Sequence, residues 1–86
     1  MPKVTIYTTD MCPYCARAKQ LLARKHVAFD EFDVSYDDTR RREMMRRSGR
    51  QTVPQIWIGA THVGGCDDLY DLDRRGQLDP LLAAKS

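Results

Sequence analysis

The chain has 86 residues, with 14 lysines and arginines against 12 aspartates and glutamates and a net charge of +2. That length suits one small domain over residues 1–86, burying roughly 60% of the surface its unfolded chain exposes. No apolar run approaches the ~20 residues of a membrane span, a near-balanced charge gives no general pull toward nucleic acid, and three cysteines are too few and too clustered for a disulfide scaffold. Met1-Pro2-Lys3 leads straight into apolar residues and leaves no room for the apolar region of a signal peptide, so a cytoplasmic location is expected.

The first predicted strand runs from Val4 to Thr8 and the first helix from Pro13 to Lys25. Tyr14, Ala18, Leu21 and Leu22 recur at helical spacing and are expected to face the sheet. His26 ends the helix, where a cation suits the negative end of the dipole. Val27 to Val34 reads as a second strand, and a right-handed crossover pairs it parallel to the first. Asp37 and Asp38 then cap a second helix, Asp38 to Ser48, with Gly49 at the left-handed position after it. That helix has only Met44 and Met45 as apolar surface and is expected to pack loosely. Its run of arginines, Arg40 to Arg50, reads as a solvated face, without the interleaved aromatics of a single-strand binder.

Gln55-Ile56-Trp57-Ile58 and Thr61-His62-Val63 flank Gly59-Ala60, a two-residue hairpin turn with glycine first. Gly64-Gly65 breaks the last strand, a third helix runs from Cys66 to Arg75, Gly76 ends it, and Asp79 to Ala84 fits a final short helix. The order β-α-β-α-β-β-α predicts an α/β domain: a four-stranded mixed sheet with helices on both faces.

The chemistry gathers at Cys12-Pro13-Tyr14-Cys15. Pro13 suits the first helical position, which makes Cys12 the N-cap. Its sulfur then faces unpaired backbone N–H groups and the positive end of the helix dipole, both of which favour a nucleophilic thiolate. Cys15, one turn further on, is within reach to resolve a disulfide on Cys12. A Cys-x-x-Cys is also half of a zinc knuckle, but only Cys66, His26 and His62 remain as further ligands, and none forms a second close pair. A cluster-bridging iron–sulfur role through Cys12 is the other open reading. Thr52-Val53-Pro54 precedes a strand, and a proline there is a candidate for a cis peptide that leaves the preceding backbone facing outward. Gly64-Gly65-Cys66-Asp67-Asp68 opens the third helix with free amides that suit a carboxylate.

Taken together, Tyr7-Thr8, Cys12-Pro13-Tyr14-Cys15, Ser48-Gly49-Arg50, Thr52-Val53-Pro54-Gln55 and Gly64-Gly65-Cys66-Asp67-Asp68-Leu69 resemble a dithiol glutaredoxin of the small bacterial kind over nearly the whole length. The resemblance implies a thioredoxin-like fold and a glutathione-dependent thiol–disulfide oxidoreductase that reduces glutathione mixed disulfides and protein disulfides. It implies Cys12 as nucleophile and Cys15 as resolving cysteine. It further implies a glutathione groove in which Val53 pairs through its backbone with the cysteinyl part, with Thr52 before it and Pro54 cis after it. Gly65, Cys66 and Asp67 would hold the γ-glutamyl carboxylate, Tyr14 would line the groove, and Arg41 would meet the glycine carboxylate. Glutathione is then the reductant, with no bound cofactor or metal. The implied partners are glutathionylated proteins and protein disulfides, those of ribonucleotide reductase type among them, for a monomer that needs neither nucleic acid nor membrane. The alternatives are an iron–sulfur carrier and an electron donor reduced by a flavoprotein reductase. One departure stands out: many members carry lysine three residues before the nucleophile, where this chain has Thr9. A lysine there would attract a glutathione carboxylate, so Thr9→Lys is expected to lower the Michaelis constant for glutathione; an unchanged constant would refute this.

Overall fold

The computed structural model describes residues 2–84; Met1, Lys85 and Ser86 lie outside the described residues. Along the chain run β1 (Val4–Thr8), α1 (Pro13–Arg24), β2 (Asp30–Asp33), α2 (Asp38–Ser48), β3 (Gln55–Ile58), β4 (Thr61–Gly64), α3 (Cys66–Arg74) and α4 (Leu78–Ala83). The sheet order is β2-β1-β3-β4. β2 pairs parallel to β1, whereas β3 pairs antiparallel to both β1 and β4. The mixed four-stranded sheet expected from the sequence is therefore present, and the fourth helix is real. Helix α4 begins at Leu78 rather than Asp79 because Leu78 and Leu82 are both buried and anchor it.

Alternation along the strands divides the core in two. Val4 and Ile6 of β1 and Ile56 and Ile58 of β3 point to the face covered by α1, α3 and α4, where they meet Ala18, Leu21, Leu22, Leu69, Leu78 and Leu82. Burying each such aliphatic side chain contributes about 1.5–3 kcal/mol, so this face carries most of the apolar stabilisation. Tyr7 and Trp57 point the other way and join Val34 and Met44 beneath α2.

That second face corrects the expectation of loose packing. Met44 is wholly buried, and arginines supply what apolar residues do not. The Arg47 guanidinium lies 4.4 Å from the Trp57 ring centroid and that of Arg40 4.2 Å from Phe32. Arg47 also donates to the Tyr7 hydroxyl at 2.8 Å, and that hydroxyl donates to Glu43 at 2.6 Å. Long basic side chains cover aromatic rings with their stems and planar heads while staying half in water.

Two further expectations are revised. β2 starts at Asp30, not Val27, because the end of α1 takes up the intervening residues. His26 adopts φ 58°; its N–H donates to Ala23 O and that of Val27 to Leu22 O, at 3.0 and 3.2 Å. These two hydrogen bonds satisfy the last helical carbonyls and turn the chain before the strand can begin. Tyr14 does not face the sheet: it is 55% exposed, and Cys15 is buried in its place.

Candidate active site

The β1–α1 connection delivers Cys12 in extended conformation, φ −108° and ψ 102°, at the N-cap of α1 with Pro13 following. An N-cap side chain folds back over the first amides. Here the Cys15 N–H donates to Cys12 Sγ at 3.1 Å, while Cys12 itself is partly exposed. The first turn of α1 holds no acidic residue, so nothing there offsets the positive helix end that faces the sulfur. Met11, just before it, adopts φ 51° and is 99% exposed. Cys15 is buried, and its thiol is pushed up to about 12 by that burial first and by Cys12 second, with the Thr9 backbone and then Lys19 pulling the other way.

The first turn of α1 stands between two cavities. One, of about 330 Å³, is lined by Tyr14, Arg50, Thr52, Val53, Pro54, Gly65, Cys66, Asp67 and Asp68. The Val53–Pro54 peptide is cis. The other, of about 580 Å³, is lined by Cys12, Pro13 and Cys15 together with Asp10, Lys19, Glu31 and Asp33. Lys19 is paired with Glu31 at 2.9 Å. Asp33 sits close enough to Asp10 to raise the Asp10 carboxyl above its ordinary value, and is itself held low chiefly by hydrogen bonds from Ser35.

At the far wall of the first cavity, α3 begins at Cys66 with Gly65 as its N-cap. Leu69 N–H makes the first backbone bond back, to Gly65 O at 3.1 Å, so the amides ahead of it have no intrahelical acceptor. Asp68, in the first turn, accepts from Gly65 N–H at 2.9 Å and from Arg50 at 3.0 Å. Those partners, the Gly65 amide first, hold the Asp68 carboxyl below its ordinary range. Gly64 has φ 113°, and a Cβ there would collide with the Asp68 carboxylate, so the close approach of β4 to α3 requires glycine. The Cys66 thiol points into the core, where burial pushes it up.

The structure thus brings Tyr14, Thr52, Val53, Pro54, Gly65, Cys66 and Asp67 around one cavity, with Cys12 and Cys15 on the adjoining one. Arg41 is the exception. It is half-buried on the first turns of α2 and lines neither cavity; the arginine in the groove is Arg50, which the sequence reading did not single out. It stood in the Ser48-Gly49-Arg50 motif without an assigned role, just after the left-handed Gly49, whose reversal brings it back toward α3. Among the described residues no group of three or more His, Cys, Asp and Glu side chains is placed to hold a metal ion.

The family model for glutaredoxin matches residues 4–63. The chain belongs to the glutaredoxin family. A glutaredoxin of Pseudomonas aeruginosa is 61% identical over 84 residues, covering 98% of this chain and 100% of that one. Glutaredoxin of Brucella melitensis, with a solution structure, is 61% identical, at a TM-score of 0.84, over 95% of this chain and 89% of that one. A crystal structure of a buckwheat glutaredoxin–glutathione complex superposes with a TM-score of 0.86 at 27% identity, over 94% and 76% of the two chains. Like other glutaredoxins of such identity, this chain is a glutathione-dependent thiol–disulfide oxidoreductase with a thioredoxin-like fold. No helix of the described residues is long and apolar enough to cross a membrane.

Proposed function

We propose that Cys12 is the nucleophile and Cys15 the resolving thiol, and that glutathione lies in the groove between Tyr14, Thr52-Val53-Pro54 and the start of α3. The observation that carries this reading is the Cys15 N–H donating to Cys12 Sγ at 3.1 Å, at a helix terminus that favours negative charge on sulfur. In the groove, Val53 pairs with the cysteinyl backbone of glutathione as an added strand would. The amides of Cys66 and Asp67, with Gly65 before them, receive the γ-glutamyl carboxylate, and Tyr14 forms a wall. Arg50 rather than Arg41 is the cation that draws an anionic end of the tripeptide, because Arg50 lines the groove.

The Cys12 thiolate attacks the glutathione sulfur of a mixed disulfide. The bond from glutathione to the target breaks, a Cys12–glutathione disulfide forms, and the target leaves as a thiolate that takes a proton from solvent. A second glutathione thiolate then attacks the bound glutathione sulfur, releasing glutathione disulfide and returning Cys12 as thiolate. With a protein disulfide, Cys12 attacks the target sulfur first. Cys15 then attacks Cys12, freeing the target thiol and leaving a Cys12–Cys15 disulfide for two glutathiones to reduce. Burial is the largest reason Cys15 stays protonated, but the neighbouring Cys12 adds to it through a hydrogen bond and its charge. Once Cys12 is tied in a disulfide that contribution is gone, and Cys15 ionises more readily when it is needed.

The chain acts as one domain and a monomer in the cytoplasm, with glutathionylated proteins and protein disulfides, ribonucleotide reductase-type ones included, as targets. Cys15→Ser separates the two routes: reduction of a small glutathione mixed disulfide persists, while reduction of a protein disulfide fails. Cys12→Ser abolishes both. Equal loss of both activities in Cys15→Ser would count against these roles.

A further inference from the structure

Gln55 opens β3 with its side chain wholly buried, and the mechanism above makes no use of it. Its Nε2 donates to the Thr52 carbonyl at 3.0 Å and to the Thr52 hydroxyl at 3.2 Å. Its Oε1 lies 2.8 Å from His62 Nε2 on β4. The Thr52 carbonyl can only accept, so the amide end facing it must be the NH₂. The other end is then the oxygen, and His62 must present its hydrogen on Nε2. His62 is held in place for this by stacking on Trp57, ring centroids 4.7 Å apart.

The consequence appears one peptide further on. A trans peptide sets its C=O and the following N–H on opposite sides, and the cis bond in this loop is Val53–Pro54, not Thr52–Val53. With the Thr52 carbonyl turned inward to Gln55, the Val53 N–H is turned away from the core, at the wall of the groove shared with Tyr14, Cys66 and Asp67. It donates to no acceptor among the described residues.

We propose that Gln55 and His62 are positioning residues for glutathione: Gln55 holds the Thr52–Val53 peptide so that the Val53 N–H faces the tripeptide, and His62 keeps the Gln55 amide the right way round. The proposal rests on the reading that glutathione pairs with the Val53 backbone. Neither side chain reaches the sulfurs, so their loss acts on glutathione binding and not on the exchange step.

The test is a glutathione titration of the full chain, followed by backbone amide NMR and by steady-state kinetics. Gln55→Met keeps the length and volume of the side chain without its hydrogen bonds, and His62→Phe keeps a ring over Trp57 without the N–H. Gln55→Met is expected to raise KM for glutathione about tenfold, and His62→Phe about threefold, as the loss of one or two buried hydrogen bonds would do. The kcat at saturating glutathione and the alkylation rate of Cys12 stay as in the wild type, and the glutathione-induced shift of the Val53 amide shrinks in the same order. A merely structural role would lower kcat and folded fraction together instead. A folded Gln55→Met with wild-type KM and an intact Val53 shift overturns the proposal while leaving the glutathione groove standing. If Gln55→Met does not fold, His62→Phe decides by the same readouts, and an unchanged KM overturns the proposal. A wild-type Val53 amide that ignores glutathione overturns the groove reading and the proposal with it.

Discussion

The amino-terminal ends of α1 and α3 meet at the same groove, Tyr14 contributed by one and Cys66 by the other, and each end carries a cysteine. Cys12 is the N-cap of its helix, partly exposed, its sulfur folded back over an amide of the first turn. Cys66 is one position further in, already helical, and its sulfur turns into the apolar core. The acidic residues follow the same division: the first turn of α1 has none, and that of α3 has Asp67 and Asp68. With Cys12 as the proposed nucleophile, nearness to the positive end of a helix is not by itself enough for that role. The side chain must sit at the cap, where it can reach the free amides, and no neighbouring carboxylate may take the place of the thiolate. In α3 the cap is Gly65, which has no side chain, and Asp68 turns back to the N–H of Gly65 itself, so what is left for a ligand is backbone.

The sharpest way to break this contrast is alkylation of the three cysteines across pH. With its thiol pushed up to about 12, Cys15 is ionised in roughly one molecule in ten thousand near pH 8. Cys66, raised by burial, is likewise held as thiol and covered. Mass spectrometry should therefore find a single label, on Cys12, at neutral pH in the folded reduced chain, and three labels only after unfolding. Early labelling of Cys66 would erase the distinction between the two helix ends.

A smaller effect is expected from Cys66→Ala. It removes a buried sulfur from the core and should destabilise the fold by about 1–2 kcal/mol in urea unfolding. It should leave KM for glutathione close to that of the wild type, because the amide and not the sulfur faces the groove. The smallest is Asp68→Asn, which keeps an oxygen for the Gly65 amide but loses the charge on Arg50 and the helix end. The carboxylate is about half exposed, so the loss at neutral pH should be only about 0.5–1 kcal/mol. Its folded-state pKa is depressed, chiefly by the Gly65 amide. Its stabilisation is therefore present above the unfolded carboxylate value of about 3.9 and lost as pH falls through the lower folded value. Unfolding curves of wild type and variant should converge in that acidic window; a gap that persisted below it would assign the effect to shape instead of charge.

Elements with strong local chemistry were readable from the chain alone. Pro13 after Cys12, Gly49 after Ser48 and Gly59 in the hairpin each act through the conformation of their own backbone, which depends on nothing distant. The order β-α-β-α-β-β-α likewise implied helices on both faces of the sheet, and the spacing of the two cysteines needs only one helical turn. Where the reading went astray, the deciding partner was far away in sequence. Tyr14 matched a helical stripe, but the sheet has room at that turn only for Cys15. The arginines of α2 carry no apolar signal, and it is Trp57 and Phe32, on other strands, that make them packing residues. Arg41 and Arg50 could not be told apart by type; the left-handed turn at Gly49 and the carboxylate of Asp68 bring Arg50 to the groove and leave Arg41 on its helix.

Local patterns alone were enough for the order of the elements, the cysteine at a helix cap and the proline loop before β3, because each follows from residues a few positions apart. Long-range contacts set which arginine lines the groove, which cysteine is sealed away, and how the buried Gln55 amide is held between Thr52 and the partly exposed His62. Those outcomes depend on a hydrogen-bond acceptor or a patch of core supplied by another strand or helix, and no local pattern encodes where such a partner will stand.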